Sequence, residues 1–275
     1  MENNKNLVNY YRDPEVLKEY DFYFSVAREV EVMPEEFLRQ LSDEDWYWIS
    51  RAKGLSLYFI ERFSDKVDWD CISSDQRLPE PFILAHADQV NWILISQHQT
   101  LSEDFIERFQ DRVYWEYISK KQTLSESFID KYSDKLDWSW VSRRKGLSLK
   151  LIDKHVDKIY WNAICTYQTL SEEFIEAHAD QVNWELISRW QEISQDFAVR
   201  HADLIDWYEL SGNIQLSEDL LREYEYGIDW HSASSIQVLP EDLIRAHADE
   251  VNWEDVIIYQ DHLSEEFLKE FSDRI

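Results

Sequence analysis

Residues 172–188 read "EEFIEAHADQVNWELIS", and residues 241–257 repeat them closely as "EDLIRAHADEVNWEDVI". Each copy contains one tryptophan, and tryptophan recurs along the chain every 23 residues, ten times in unbroken register. A fixed period of about 20 to 50 residues is typical of repeat architectures, in which each repeat packs on its neighbours. The tryptophans in this register are Trp46, Trp69, Trp92, Trp115, Trp138, Trp161, Trp184, Trp207, Trp230 and Trp253.

The pattern within one repeat predicts two short helices. We count positions from a recurring leucine, for example Leu101 or Leu170, as position 1. Apolar residues at positions 5, 6, 9 and 13 have helical spacing, and serine at position 2 followed by acidic residues suits a helix start. Proline replaces this serine at Pro34, Pro79 and Pro240, which also fits a helix start. Asp or Asn at position 14 predicts the cap of a second helix of some eight residues, with the tryptophan in its first turn.

These features predict an all-α fold, an α-solenoid of about ten stacked 23-residue helix-turn-helix repeats. With 4 Gly and 5 Pro, the chain has too few turn residues for a β-sandwich or propeller. Each tryptophan is predicted to pack one helix pair against the next, and the small residue at position 19, mostly serine, to let helices approach closely. Residues 1–32 are predicted to form an N-terminal capping helix region, and residues 33–275 a single array that ends in a half repeat.

Histidine and aspartate recur at fixed positions, which favours structural roles over catalysis. His86, His155, His178, His201 and His247 occupy position 9, where other repeats have Phe or Tyr. Position 11 is Asp in nearly every repeat, whereas a catalytic carboxylate occurs once or as a pair, so a cap or hydrogen bond at the helix junction is expected. We find no triad, phosphate loop or HExxH signature, and the two cysteines form no metal motif. The sequence predicts no enzyme, no cofactor and no metal site.

Charge is the most unusual property of the chain, with 56 acidic and 28 basic side chains and a formal net charge of -28. Acidic residues concentrate at positions 3, 4, 7 and 11, and three of these positions share one side of the first helix. We call this predicted surface the acidic flank. Its candidate partner-binding residues are Glu103, Asp104, Glu107, Glu126, Asp130, Glu172, Glu173 and Glu176.

Positions 20 to 23 carry basic and aromatic residues in the middle of the array, and we call this predicted surface the variable strip. Its candidate partner-binding residues are Lys120, Lys121, Arg143, Arg144, Tyr167, Arg189 and Trp190.

Three functions compete. The first is a protein-binding solenoid whose acidic flank engages a basic protein surface and mimics nucleic acid, inhibiting a host defence or DNA-handling protein. Ten repeats of about 9–10 Å would give one excess charge per about 3.4 Å, half the linear density of duplex DNA. The alternative is a generic scaffold that binds a peptide or protein through exposed aromatics. Nucleic-acid binding through the variable strip is disfavoured by the negative field.

The repeat pattern "LSEEFI…DKVNW…IS…Q" resembles the short tandem αα repeats in proteins of large DNA viruses and phages. The resemblance covers roughly residues 33–275 and implies an αα-repeat architecture and a viral origin, with no catalytic motif to transfer. The chain has neither an apolar signal core nor an apolar run of membrane-spanning length. We therefore expect a cytoplasmic protein, in the host cytoplasm if viral, with a basic protein partner and no membrane contact; its oligomeric state stays open.

Overall fold

A computed structural model describes residues 26–274, in which every regular element is a helix. The predicted α-solenoid is confirmed, since neighbouring short helices pack in regular 23-residue repeats. The chain divides into two compact units, one ending at Asp137 and one beginning at Trp138. Most of the predicted capping region lies outside the described residues, although residues 26–30 are helical.

In most repeats the first helix has six residues, and it begins after serine or proline, as predicted. In the unit that ends at Asp137, the Ser102 hydroxyl accepts a hydrogen bond from the Phe105 amide at 3.2 Å. Pro79 occupies the equivalent N-cap position. The first helices there are Glu35–Leu38, Leu57–Arg62, Glu80–Ala85, Glu103–Arg108 and Glu126–Lys131. Those in the other unit are Leu149–Lys154, Glu172–Ala177, Gln195–Arg200, Glu218–Glu223, Glu241–Ala246 and Glu265–Glu270, with a 3-10 turn at Glu225–Gly227.

Nearly every second helix begins at the tryptophan. The predicted cap at position 14 is confirmed at six Asp or Asn residues; for example, Asp68 accepts from the Cys71 amide at 2.9 Å. It is wrong for Asp45, which lies inside Asp43–Arg51, a helix capped by Ser42. Tyr114 and Tyr160 occupy the same position without a side-chain cap. The second helices of the first unit are Asp43–Arg51, Trp69–Asp75, Trp92–His98 and Trp115–Lys121. Those of the second unit are Trp138–Val141, Trp161–Tyr167, Trp184–Trp190, Trp207–Ser211, Trp230–Ile236 and Trp253–Tyr259.

Successive second helices pack directly on one another, and the serine at position 19 connects them. The Ser96 hydroxyl donates to the Trp92 carbonyl at 2.7 Å and accepts from the Tyr114 backbone amide of the next repeat at 2.9 Å. Ser188 makes the equivalent pair of bonds to Trp184 and Asp206. The serine oxygen, as well as its small size, therefore matters at position 19.

Each repeating tryptophan packs against the next repeat, as predicted. The Trp92 ring lies 6.3 Å from the Phe105 ring and 4.7 Å from the Phe109 ring, measured between centroids. Its indole nitrogen donates to the Ala87 carbonyl at 2.9 Å, so the polar edge of this half-buried side chain is satisfied. Trp184 repeats the arrangement with Phe197 and His201.

A buried glutamine at position 22 closes most repeat junctions, whereas Lys145 and Ile214 occupy this position in two repeats. The Gln99 side-chain amide donates to the Ser73 and Gln76 carbonyls at 2.9 and 2.7 Å, and its carbonyl accepts from the Leu78 amide at 3.0 Å. Equivalent bonds from successive glutamines form a ladder within each unit. Its members are Gln76, Gln99 and Gln122 in the first unit, and Gln168, Gln191, Gln237 and Gln260 in the second.

Candidate protein-binding surfaces

The acidic flank of the first unit is also part of the repeat interface. Glu103 accepts hydrogen bonds from the Ser125 amide and, at 3.0 Å, from the Ser125 hydroxyl of the next repeat. Glu107 pairs with Lys131 at 2.5 Å, and this hydrogen bond lowers the pKa of Glu107. Asp104 is exposed on the same helix. Glu126 and Asp130 lie on the first helix of the following repeat, exposed and half-buried respectively.

The acidic flank of the second unit repeats this arrangement. Glu172 accepts from the Ser194 amide of the next repeat at 2.6 Å. Glu176 lies 3.3 Å from the His201 ring nitrogen and 3.9 Å from the Arg200 guanidinium. Glu173 is exposed, and hydrogen bonds from its own backbone amide and from Ser171 lower its pKa.

The hydrogen bond at position 3 does not require a charge. Gln195 occupies this position and its side-chain carbonyl accepts from the Ser217 amide at 3.0 Å. Leu57 and Leu149 occupy it in two other repeats. An acceptor at position 3 is therefore useful to the fold, whereas the negative charge of Glu103 or Glu172 is not needed for it.

The aspartates at position 11 lie on the turn between the two helices and are largely exposed. Asp88 and Asp111 have exposed side-chain fractions of 88% and 94% and pair with Arg112 and Lys135 of the next repeat at 2.8 and 3.9 Å. Asp249 bonds to a guanidinium nitrogen of the next repeat at 2.6 Å. Of the two predicted roles, a cap or a hydrogen bond at the helix junction, Asp249 has the hydrogen bond, and all three aspartates form ion pairs between repeats. Exposed pairs of this kind contribute little to stability.

Four histidines at position 9, His86, His178, His201 and His247, lie between a tryptophan and a carboxylate. The His86 ring centroid is 4.9 Å from that of Trp69, and its Nε2 lies 2.8 Å from a Glu61 oxygen of the preceding repeat. His178 contacts Trp161 and Asp153 in the same way. Among residues 26–274, no three His, Cys, Asp or Glu side chains come close enough to hold a metal ion.

The basic members of the variable strip lie at the carboxyl ends of second helices. Lys120 and Lys121 form the last turn of Trp115–Lys121. Arg189 lies in the last turn of Trp184–Trp190 and binds Glu209 through two nitrogens, one of them at 2.6 Å. Cations are favoured at this end by the helix dipole, so the fold accounts for part of the basic character.

The remaining basic pair lies just after Trp138–Val141. The Arg143 guanidinium lies 5.0 Å from the centroid of the Trp140 ring. Arg144 is half-buried, and burial lowers the pKa of its guanidinium. Arg143 is thus exposed beside an aromatic ring, whereas Arg144 is partly buried in its own unit.

The aromatic members of the strip are exposed on neighbouring helices. Tyr167 and Trp190 have exposed fractions of 46% and 55% and end two second helices that pack on each other. Both occupy position 21. Ile236 and Tyr259 occupy position 21 in later repeats of the same unit and are 36% and 57% exposed. Sequence reasoning did not select Ile236, since an isolated isoleucine gives no signal until its register is compared with Trp190.

Comparisons with protein-family models, with curated proteins and with solved structures find no match to this chain. The resemblance to viral and phage repeat proteins stays a prediction. Within residues 26–274, none of the helices combines the length and apolar character that crossing a membrane requires.

Proposed function

We propose that this chain is a non-enzymatic protein-binding solenoid whose acidic flank engages a basic protein surface. The observation that carries the proposal is that the chain has more negatively charged side chains than its fold requires. Repeats with glutamine or leucine at position 3 have the same two helices as the others, yet all other repeats have glutamate at this position. Residues 1–137 contain 28 acidic and 16 basic side chains, and residues 138–275 contain 28 and 12. Each unit thus carries a net negative charge that attracts cationic partners.

A more specific form of the proposal is that the flank mimics nucleic acid and inhibits a DNA-handling protein, as a viral inhibitor of host defence would. Its support is the repetition of exposed carboxylates on successive first helices, which resembles a series of phosphates. The recurrence of His and Asp at positions 9 and 11, with contacts to the neighbouring repeat, supports a non-enzymatic role for these residues.

The test is retention of proteins from a lysate of the source organism on the immobilised chain at low ionic strength. Elution would use stepped salt and then duplex DNA. The flank variant replaces four carboxylates with amides: Glu103→Gln, Asp104→Asn, Glu172→Gln and Glu173→Gln. The control variant removes equal charge from exposed residues of the second helices: Asp43→Asn, Asp70→Asn, Glu116→Gln and Glu254→Gln.

We expect a basic partner that salt and duplex DNA both displace, and that the flank variant fails to retain while the control variant retains it. If both variants lost the partner equally, net charge alone and not the acidic flank would explain the binding. A partner that resists both salt and DNA would contradict the proposal.

A further inference from the structure

The exposed apolar side chains at position 21 of the second unit form a row, which we name the apolar strip: Tyr167, Trp190, Ile236 and Tyr259. They end second helices that belong to one stack, in which each helix packs on the next from Trp161–Tyr167 to Trp253–Tyr259. Asn213 interrupts the row, and its amide instead donates to the Ser188 and Gln191 carbonyls at 3.0 and 2.8 Å.

The fold does not require apolar residues at this position. In the first unit, position 21 holds Asp75, His98 and Lys121, all in second helices of the same length and with the same glutamine ladder. A large exposed apolar side chain gains nothing in the folded chain alone, and an apolar patch on a soluble surface is typical of a binding site. The apolar strip is therefore specific to the second unit and is not a general feature of the 23-residue repeat.

The charge around the strip limits what can cover it. Glu192 and Asp261 follow the strip residues at position 23 and are exposed, and Glu185 is exposed on the helix that ends at Trp190. Residues 138–275 carry 16 more acidic than basic side chains. This field opposes a second copy of the chain, nucleic acid or an anionic membrane, and it favours a cationic occupant.

The spacing of the strip suggests the conformation of its occupant. Packed helices lie about 8–10 Å apart, so Tyr167 and Trp190 are separated by about that distance, as are Ile236 and Tyr259, and the gap across Asn213 is about twice as long. Three residues of an extended polyproline-II segment span about 9 Å. An extended segment that crosses the second helices would therefore bring every third residue onto the strip and leave the others near the flanking carboxylates.

We propose that the apolar strip binds an extended basic peptide segment with apolar side chains at three-residue intervals and Lys or Arg between them. The inference rests on the proposed protein-binding function and names the partner class and the anchoring residues. Trp190 is the main anchor, since tryptophan is the side chain most enriched among interface residues with large binding contributions.

The experiment selects random 15-residue peptides from a display library on the full chain and measures the selected peptides by fluorescence anisotropy. The strip variant is Trp190→Ser with Tyr167→Ser. The matched control is Tyr226→Ser, which removes an exposed aromatic of the same unit that lies at position 11, outside the strip. Circular dichroism and the thermal midpoint of each variant establish that it is folded.

We expect selected peptides with a three-residue apolar period and a net positive charge. Their affinity should fall about 30-fold or more in the strip variant and less than about twofold in Tyr226→Ser. No enrichment, acidic or aperiodic peptides, or equal affinity for the strip variant would overturn the inference. Peptides that lose affinity in the flank variant but not in the strip variant would support the proposed function while overturning this inference.

Discussion

At the scale of one residue, the serine hydroxyl at position 19 serves two backbone groups in two repeats. Ser188 is fully buried, donates to the Trp184 carbonyl at 2.8 Å and accepts from the Asp206 amide at 3.0 Å. Ser188→Ala would leave the Asp206 amide without its partner. We expect the free energy of unfolding in urea to fall by about 1–3 kcal/mol, the usual cost of an unsatisfied buried polar group.

Cys165 provides a natural control for this prediction. It occupies position 19 of the preceding repeat, is fully buried, and its sulfur accepts a hydrogen bond from the Asn183 backbone amide. Cys165→Ser should therefore keep the stability within about 1 kcal/mol of the wild type. A loss as large as that of Ser188→Ala would mean that size, and not the acceptor, decides position 19.

The other cysteine, Cys71, should make the stability depend on pH in the alkaline range. Burial, with a smaller contribution from Asp68, raises the pKa of the Cys71 thiol to about 12. In the unfolded chain a thiol ionises near pH 8.5, so the contribution of Cys71 is complete below that pH and is lost as pH rises toward 12. We expect the urea midpoint of the wild type to fall more between pH 7 and pH 10 than that of Cys71→Ala. Parallel pH profiles of the two proteins would contradict this assignment.

At the scale of the helix pair, the glutamine ladder is a buried polar connection between repeats. Gln191 is 3% exposed and contacts three backbone groups, the carbonyls of Cys165 and Gln168 and the amide of Leu170. Gln191→Ala should lower the free energy of unfolding by about 3 kcal/mol or more, since three buried groups lose a partner. The control Gln181→Ala removes an exposed glutamine and should change it by less than about 0.5 kcal/mol.

Helix positions, caps and the tryptophan packing followed from the 23-residue pattern because they depend on residues close in sequence or on the apolar period. The hydrogen-bond partners of Ser188, Gln191 and Glu172 cannot be predicted from the 23-residue pattern. Each contacts backbone 18 to 26 residues away, across the junction between stacked helices. Recurrence alone marks such positions as important without identifying what they contact. For the same reason the sequence predicts the acidic flank as a binding surface but does not reveal that Glu103 and Glu172 also bond to the next repeat.

At the scale of the whole molecule, contacts within each unit join a repeat to its immediate neighbours. The stacked second helices, the tryptophan rings and the glutamine ladder all connect adjacent repeats. Stability in such arrays is approximately a sum over repeats and the interfaces between neighbours. A substitution at one junction should therefore act locally.

Hydrogen exchange measured by mass spectrometry on Gln191→Ala tests this locality. The substitution weakens the junction before Trp184–Trp190, because the Gln191 side chain bonds to the Cys165 and Gln168 carbonyls and to the Leu170 amide. The backbone carbonyl of residue 191, which accepts from the Asn213 side chain, is kept. We expect faster amide exchange in Trp161–Tyr167 and Trp184–Trp190 and unchanged exchange in the second helices between Trp69 and Lys121, since opening of one junction leaves distant junctions closed. Equally accelerated exchange in both regions would mean that the chain opens only as a whole, and the additive description of the repeats would then be wrong.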